Sequence, residues 1–155
     1  MAVDSKQRLR DAAERLALTL AQGGMQKTTA RVMTALLYTE QDTMTAADLC
    51  EQLSVSTGAV STAIKQLTQS AMVERVPAPG SRREHYRFPK GVWADLFSQQ
   101  NVMLKVMREA AQNGLDITGD DGPTAARLHE MQDFYAYMER ALPPLIDGWR
   151  EEYRP

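Results

Sequence analysis

Cysteine is almost missing from this chain. Cys50 is its one representative in 155 residues, so no intramolecular disulfide can form. Only two histidines, His85 and His129, accompany it, and no C-x-x-C or H-x-x-x-H spacing offers a structural zinc site. Long apolar runs are absent too: none approaches the ~18 residues a membrane-crossing helix requires. The start of the chain is charged from Asp4 onward and lacks the apolar centre of a secretory signal. A cytoplasmic protein without metal or cofactor is therefore expected. No Ser/His/Asp or Cys/His constellation and no phosphate-cradling glycine loop stands out, which speaks against an enzyme. Basic charge is not in surplus either. Lys and Arg number 18 against 20 Asp and Glu, a net charge of −2, and a nucleic-acid binder normally leaves a basic footprint.

The distribution of charge reverses that last reading. Between Ser56 and Lys90 stand Lys65, Arg75, Arg82, Arg83, Arg87 and Lys90 against only Glu74 and Glu84, a net +4, so the rest of the chain carries −6. A local basic surface on an acidic body suits a sequence-seeking DNA binder, because the acidic remainder limits indiscriminate attachment to polyanions.

Apolar periodicity supplies the architecture. Leu9, Ala13, Leu16 and Leu20 form one stripe of a helix over 5–22 that Gly23-Gly24 ends. Val32, Met33, Leu36 and Leu37 give a second helix, over 29–38, a broad apolar face. After a polar turn at Thr39–Thr43, Thr45-Ala46-Ala47-Asp48 matches a capping box and starts a short helix with Leu49, Cys50 and Leu53 on its apolar side. Ser56 is the N-cap of the next helix, expected over 57–70, whose stripe is Val60, Ala63, Ile64, Leu67 and Ala71. Its other faces are small and polar: Gly58, Thr62, Lys65 and Gln69 lie opposite the stripe, Ser61 and Gln66 at its flanks.

Two strands then frame a turn. Met72–Val76 and His85–Phe88 flank Pro77-Ala78-Pro79-Gly80-Ser81, a hairpin with arginines near its tip. A long helix is expected from Val92 to about Ala111, with Val92, Leu96, Met103, Met107 and Ala110 on one side and Asn113-Gly114 as its end. A turn-rich stretch over 116–123 leads to Pro123 at the first position of a last helix. Leu128, Met131, Tyr135, Met138 and Leu142 recur there at heptad-like steps, a stripe for the protein's own core or for a second subunit.

The expected fold is mostly α, an α+β winged helix-turn-helix core carrying N- and C-terminal helices. Its divisions are 1–28 (an N-terminal helix), 29–90 (winged helix-turn-helix DNA-binding domain) and 91–155 (C-terminal helices). In such an arrangement the helix after Ser56 enters the major groove. Small side chains there let its backbone approach base edges, and the hairpin carries an arginine into the minor groove. The candidate DNA-binding residues are Ser56, Thr57, Gly58, Ser61, Thr62, Lys65, Gln66, Arg82, Arg83, His85 and Arg87.

The run from Ala47 through Ser61, continuing by Leu67 to Met72-Val73-Glu74-Arg75, resembles the DNA-binding core of MarR-type transcriptional regulators. The wing Gly80-Ser81-Arg82-Arg83-Glu84-His85-Tyr86-Arg87 resembles the GbsR-like branch more than the Asp-Arg-Arg wing of the rest. The resemblance implies a homodimeric repressor that reads a palindromic operator in double-stranded DNA and is released by a small-molecule effector. It also implies that the N-terminal helix of 1–28 contributes to dimerisation and that the C-terminal helices of 91–155 are dimerisation helices, which favours the intersubunit role for the last one. With no aspartate ahead of Arg82, the salt bridge that steadies many such wings is not expected, which frees Arg82 and Arg83 for DNA. Trp93, Phe97, Phe134, Tyr135 and Tyr137 are packing residues by default; Trp93, Phe97, Phe134 and Tyr135 are also the candidate wall of a cavity for an aromatic or cationic effector. Cys50 is read as a packed side chain rather than a redox sensor, and His129 as a surface residue. The competing reading is a winged-helix module that binds protein instead of specific DNA.

Overall fold

The computed structural model describes residues 2–153, in two units, Met1–Val92 and Trp93–Pro155. The first unit holds α1 (Ala2–Gln22), α2 (Lys27–Tyr38), β1 (Met44–Thr45), α3 (Ala46–Leu53), α4 (Thr57–Gln69), β2 (Glu74–Val76) and β3 (His85–Arg87). The second is built from α5 (Val92–Thr118), whose first residue closes the first unit, and α6 (Pro123–Glu152). The fold is mostly helical with one small sheet.

Local signals account for most boundaries of the first unit. Gly24, at φ 107°, stops α1, a conformation that costs glycine nothing. Thr45 and Asp48 form the reciprocal capping box at the start of α3. Ser54 ends that helix in the left-handed conformation, and the Ser56 side chain accepts a bond from the Ala59 amide at 3.2 Å to open α4. The core lies among α2, α3 and α4, where Val32, Met33, Leu36, Leu49, Leu53, Val60, Ala63, Ile64 and Leu67 are buried. α1 packs on α2 through the small side chains of Ala13 and Ala17. Across that contact Arg31 grips both carboxylate oxygens of Glu14 at 2.8–3.0 Å.

Three departures from the expected elements have tertiary causes. β1 is a two-residue strand inside the expected loop; Met44 and Thr45 pair antiparallel with Tyr86 and His85, giving the sheet order β1-β3-β2. Ala71 is not on the α4 stripe. The helix ends at Gln69, and Ala71 turns out to solvent at φ 57° so that Met72 and Val73 can descend into the core.

The third concerns α5, which does not end at Asn113-Gly114 but runs on to Thr118, shortening the expected turn to residues 119–122. Gly114 is a packing notch rather than a terminator: a Cβ there would meet Leu128 Cδ1 of α6 at 2.6 Å. The other cross-links, Arg108 to Glu139 and Arg150 to Asp95, join rising positions of α5 to falling ones of α6, so the pair is antiparallel. The face of α5 that is buried holds Ala94, Ala111 and Leu115, whereas Met103 and Ala110, expected on its apolar side, are exposed. Pro123 stands at the start of α6 and Pro143-Pro144 lie within it. Among the described residues no helix is long and apolar enough to cross a membrane.

Candidate nucleic-acid interface

α4 presents the polar surface anticipated for it. Thr57, Gly58, Ser61, Thr62, Lys65 and Gln66 are all exposed, while Val60, Ala63, Ile64 and Leu67 anchor the opposite side. Gly58 has open space around it, with nothing within 4 Å of where a Cβ would stand, so packing does not require glycine there. Ser56 spends its oxygen on capping and keeps its hydroxyl proton. Gln66 differs from its neighbours: its Oε1 lies 2.6 Å from the hydroxyl of Thr29 on α2.

The wing is stapled by its own charges. Arg87 pairs with Glu74 directly across the β2–β3 ladder, and Arg75 pairs with Glu84. Tyr86 donates to the other Glu84 oxygen at 2.5 Å, and burial, reinforced by that acceptor, pushes the phenol up to about 12. The bonds from Tyr86 and Arg75 hold the Glu84 carboxyl below its usual range. His85 is engaged at both ring nitrogens, Nδ1 at 2.8 Å from the Thr43 hydroxyl and Nε2 at 3.1 Å from that of Ser81. His85 and Arg87, both among the residues expected to face DNA, have partners within the wing, and the cross-strand register gives Arg87 its own.

The two glutamates thus neutralise Arg75 and Arg87, and the surplus of the basic segment resides on Lys65, Arg82, Arg83 and Lys90, all exposed. Ser81 Oγ accepts the Arg83 amide at 3.1 Å and shapes the loop ahead of β3. The Asp48 carboxyl is held below its usual range, chiefly by the backbone and side-chain bonds from Thr45 at 2.7 and 2.8 Å, with smaller contributions from the charges of Arg83 and His85.

These features make a winged helix-turn-helix, and comparison with known proteins agrees. A MarR-family model matches residues 24–84, and a second, of MmpR5-like MarR-family transcriptional regulators, matches residues 91–152. Together the two MarR-family matches span most of the chain. The chain thus resembles MarR-family transcriptional regulators. The HTH-type transcriptional regulator MmpR5 of Mycobacterium tuberculosis is 28% identical over 122 residues, covering 78% of this chain and 74% of that protein. A crystal structure of a transcriptional regulator superposes with a TM-score of 0.78 at 23% identity, over 93% of this chain and 99% of its own. Wild-type MarR from E. coli in its apo form reaches a TM-score of only 0.43 at 19% identity, over 92% of this chain and 98% of its own.

The aromatic side chains fall into separate places. Trp93 and Phe97 line an open apolar groove of about 300 Å³ with Leu142, Leu145, Ile146 and Trp149. Phe134 and Tyr135 do not belong to it; their rings meet edge to face, 5.3 Å apart. Of the groove's α6 residues, Leu142 closes the expected stripe, while Leu145, Ile146 and Trp149 lie beyond it and were missed in the sequence. Cys50 is half-buried on α3, and His129 Nε2 lies 3.3 Å from Asp120. Among the described residues no group of three or more His, Cys, Asp or Glu side chains is disposed to hold a metal ion.

Proposed function

We propose that this protein is a DNA-binding transcriptional regulator of the MarR type, a cytoplasmic homodimeric repressor that binds a palindromic operator, inserting α4 into the major groove and the Arg82/Arg83 tip into the adjacent minor groove. The observation that carries this reading is the division of charge in the basic segment: the ladder of the wing is internally neutralised, while its tip and the outer face of α4 keep their cations exposed. Exposed arginines near a hairpin tip suit the narrow, strongly negative minor groove of A·T-rich steps. A small, polar helix face suits close approach to base edges. Dimerisation is supported by the run of exposed apolar side chains on α5, among them Val102, Met103 and Val106. The apolar groove beside Trp93 and Phe97 supports release by an aromatic or cationic small molecule that alters the spacing of the two recognition helices. The wing residues Gly80–Arg87 support a place near the GbsR-like branch.

The test is operator binding by substituted proteins whose oligomeric state is checked in parallel. Lys65→Ala, and Arg82→Ala with Arg83→Ala, are expected to weaken operator affinity by about tenfold or more while the dimer survives. Gly58→Ala is expected to weaken binding with no loss of stability. Affinity that stays the same in all three would refute the site. Binding that ignores salt would favour a protein partner instead, because release of counterions from several phosphates makes DNA affinity fall steeply as salt rises.

A further inference from the structure

Thr29 stands apart from the other helical threonines. Thr19, Thr34 and Thr68 turn their hydroxyls back onto carbonyls of their own helices, the usual resting place for such a group. Thr29, only 6% exposed in the first turn of α2, instead meets two glutamine side chains: Gln66 Oε1 of α4 at 2.6 Å and Gln26 Oε1 at 2.8 Å. One hydroxyl carries one proton, so it cannot donate to both carbonyls. The shorter contact suits O–H···O, whose usual distance is below that of N–H···O. A half-turn of the Gln26 carboxamide then brings its NH2 to the lone pairs of the Thr29 oxygen and satisfies all three groups.

We infer that Thr29 is a positioning residue for base reading: it holds the Gln66 carboxamide oxygen inward and leaves only the NH2 of that side chain to face DNA. This rests on α4 being the recognition helix. A free glutamine reads adenine with both ends of its carboxamide, accepting from N6 and donating to N7. With its oxygen held by Thr29, Gln66 offers donors alone. Guanine, which presents two acceptors, O6 and N7, in the major groove, becomes its preferred base, and cytosine, which presents a donor, the least tolerated. Thr29 reaches across 37 residues of chain to set this preference without touching DNA itself.

The experiment enriches bound duplexes from a randomised pool with the wild type, Gln66→Ala, Thr29→Val and Thr29→Ser. Gln66→Ala, on the surface, leaves the fold intact and marks the half-site position that Gln66 reads as the one whose preference disappears. The wild type is expected to select guanine there by about fivefold or more over adenine. Thr29→Val, equal in shape but without the hydroxyl, is expected to erase or invert that ratio at this position alone, and Thr29→Ser to restore it. A profile that Thr29→Val leaves unchanged, a wild-type preference for adenine or cytosine at that position, or a Gln66→Ala profile identical to wild type each overturns the inference while DNA binding stands. A wild type that enriches no sequence overturns the recognition-helix reading and this inference together.

Discussion

The two units bury their apolar residues very differently. The first seals its interior: Leu49, Val60 and Val32 are fully buried, and among its described side chains Leu18 is the one large apolar residue that is exposed rather than buried or half-buried. The second leaves eleven of the twelve exposed large apolar residues found among the described residues, from Trp93 to Tyr153, and fully buries only Ala94, Ala111, Leu115, Ala125 and Ile146 among its own described residues. A sealed unit is stable on its own account; an open one presents surface for something else to cover. The division of labour proposed for this protein, reading DNA with one unit and associating with the other, matches that difference.

Substitutions can break the comparison at several strengths. The largest effect is expected from Leu49→Ala, which opens a cavity in the sealed core and should lower stability in denaturant titration by ~2–5 kcal/mol at any protein concentration. Val106→Ala, on the open unit, should change stability only through association, so its effect must grow as protein is diluted. If it behaves like Leu49→Ala, the two units are not different in kind. Gly114→Val places a branched side chain against Leu128 and should cost ~1–3 kcal/mol, seen as a lower melting temperature, with partial recovery when Leu128→Ala is added.

Smaller effects sharpen the picture. Asp48→Asn weakens the capping box of α3 and should cost ~1 kcal/mol at neutral pH. Because the folded-state carboxyl titrates below its ordinary value, its contribution is complete above the unfolded-state pKa and is lost as pH falls through the lowered folded one. Denaturation curves of the variant and the wild type should therefore converge in acid. The smallest change is expected from Arg31→Ala, which removes a partly exposed ion pair to Glu14 worth at most ~1 kcal/mol, measured by the same titration.

The features legible in the sequence were local ones. The capping box at Thr45, the Ser56 cap and the α4 stripe through Leu67 depend on residues within one or two turns of one another, and the structure contains them as expected. β1 was illegible because Met44 and Thr45 become a strand only by pairing with β3, a partner some forty residues away. Gly114 carries the same letter whether it ends a helix or admits Leu128, and only the neighbouring helix decides. In the candidate site, the outer face of α4 emerged from helical spacing. The internal engagement of His85 and Arg87 needed the sheet register and the hydroxyls of Thr43 and Ser81.

The paired prolines of α6 have a mechanical consequence. Neither Pro143 nor Pro144 has an N–H to offer, so the carbonyls of Glu139 and Arg140, one turn earlier, lose their helical donors side by side. Stiffness of a helix comes from that ladder, and here two consecutive rungs are gone. The remainder of the helix, from Leu145 to Glu152, is a short lever on a soft joint. Its angle is set less by the backbone than by one guanidinium, that of Arg150, moored to Asp95 at 2.7 Å and to Ser98 at 3.2 Å.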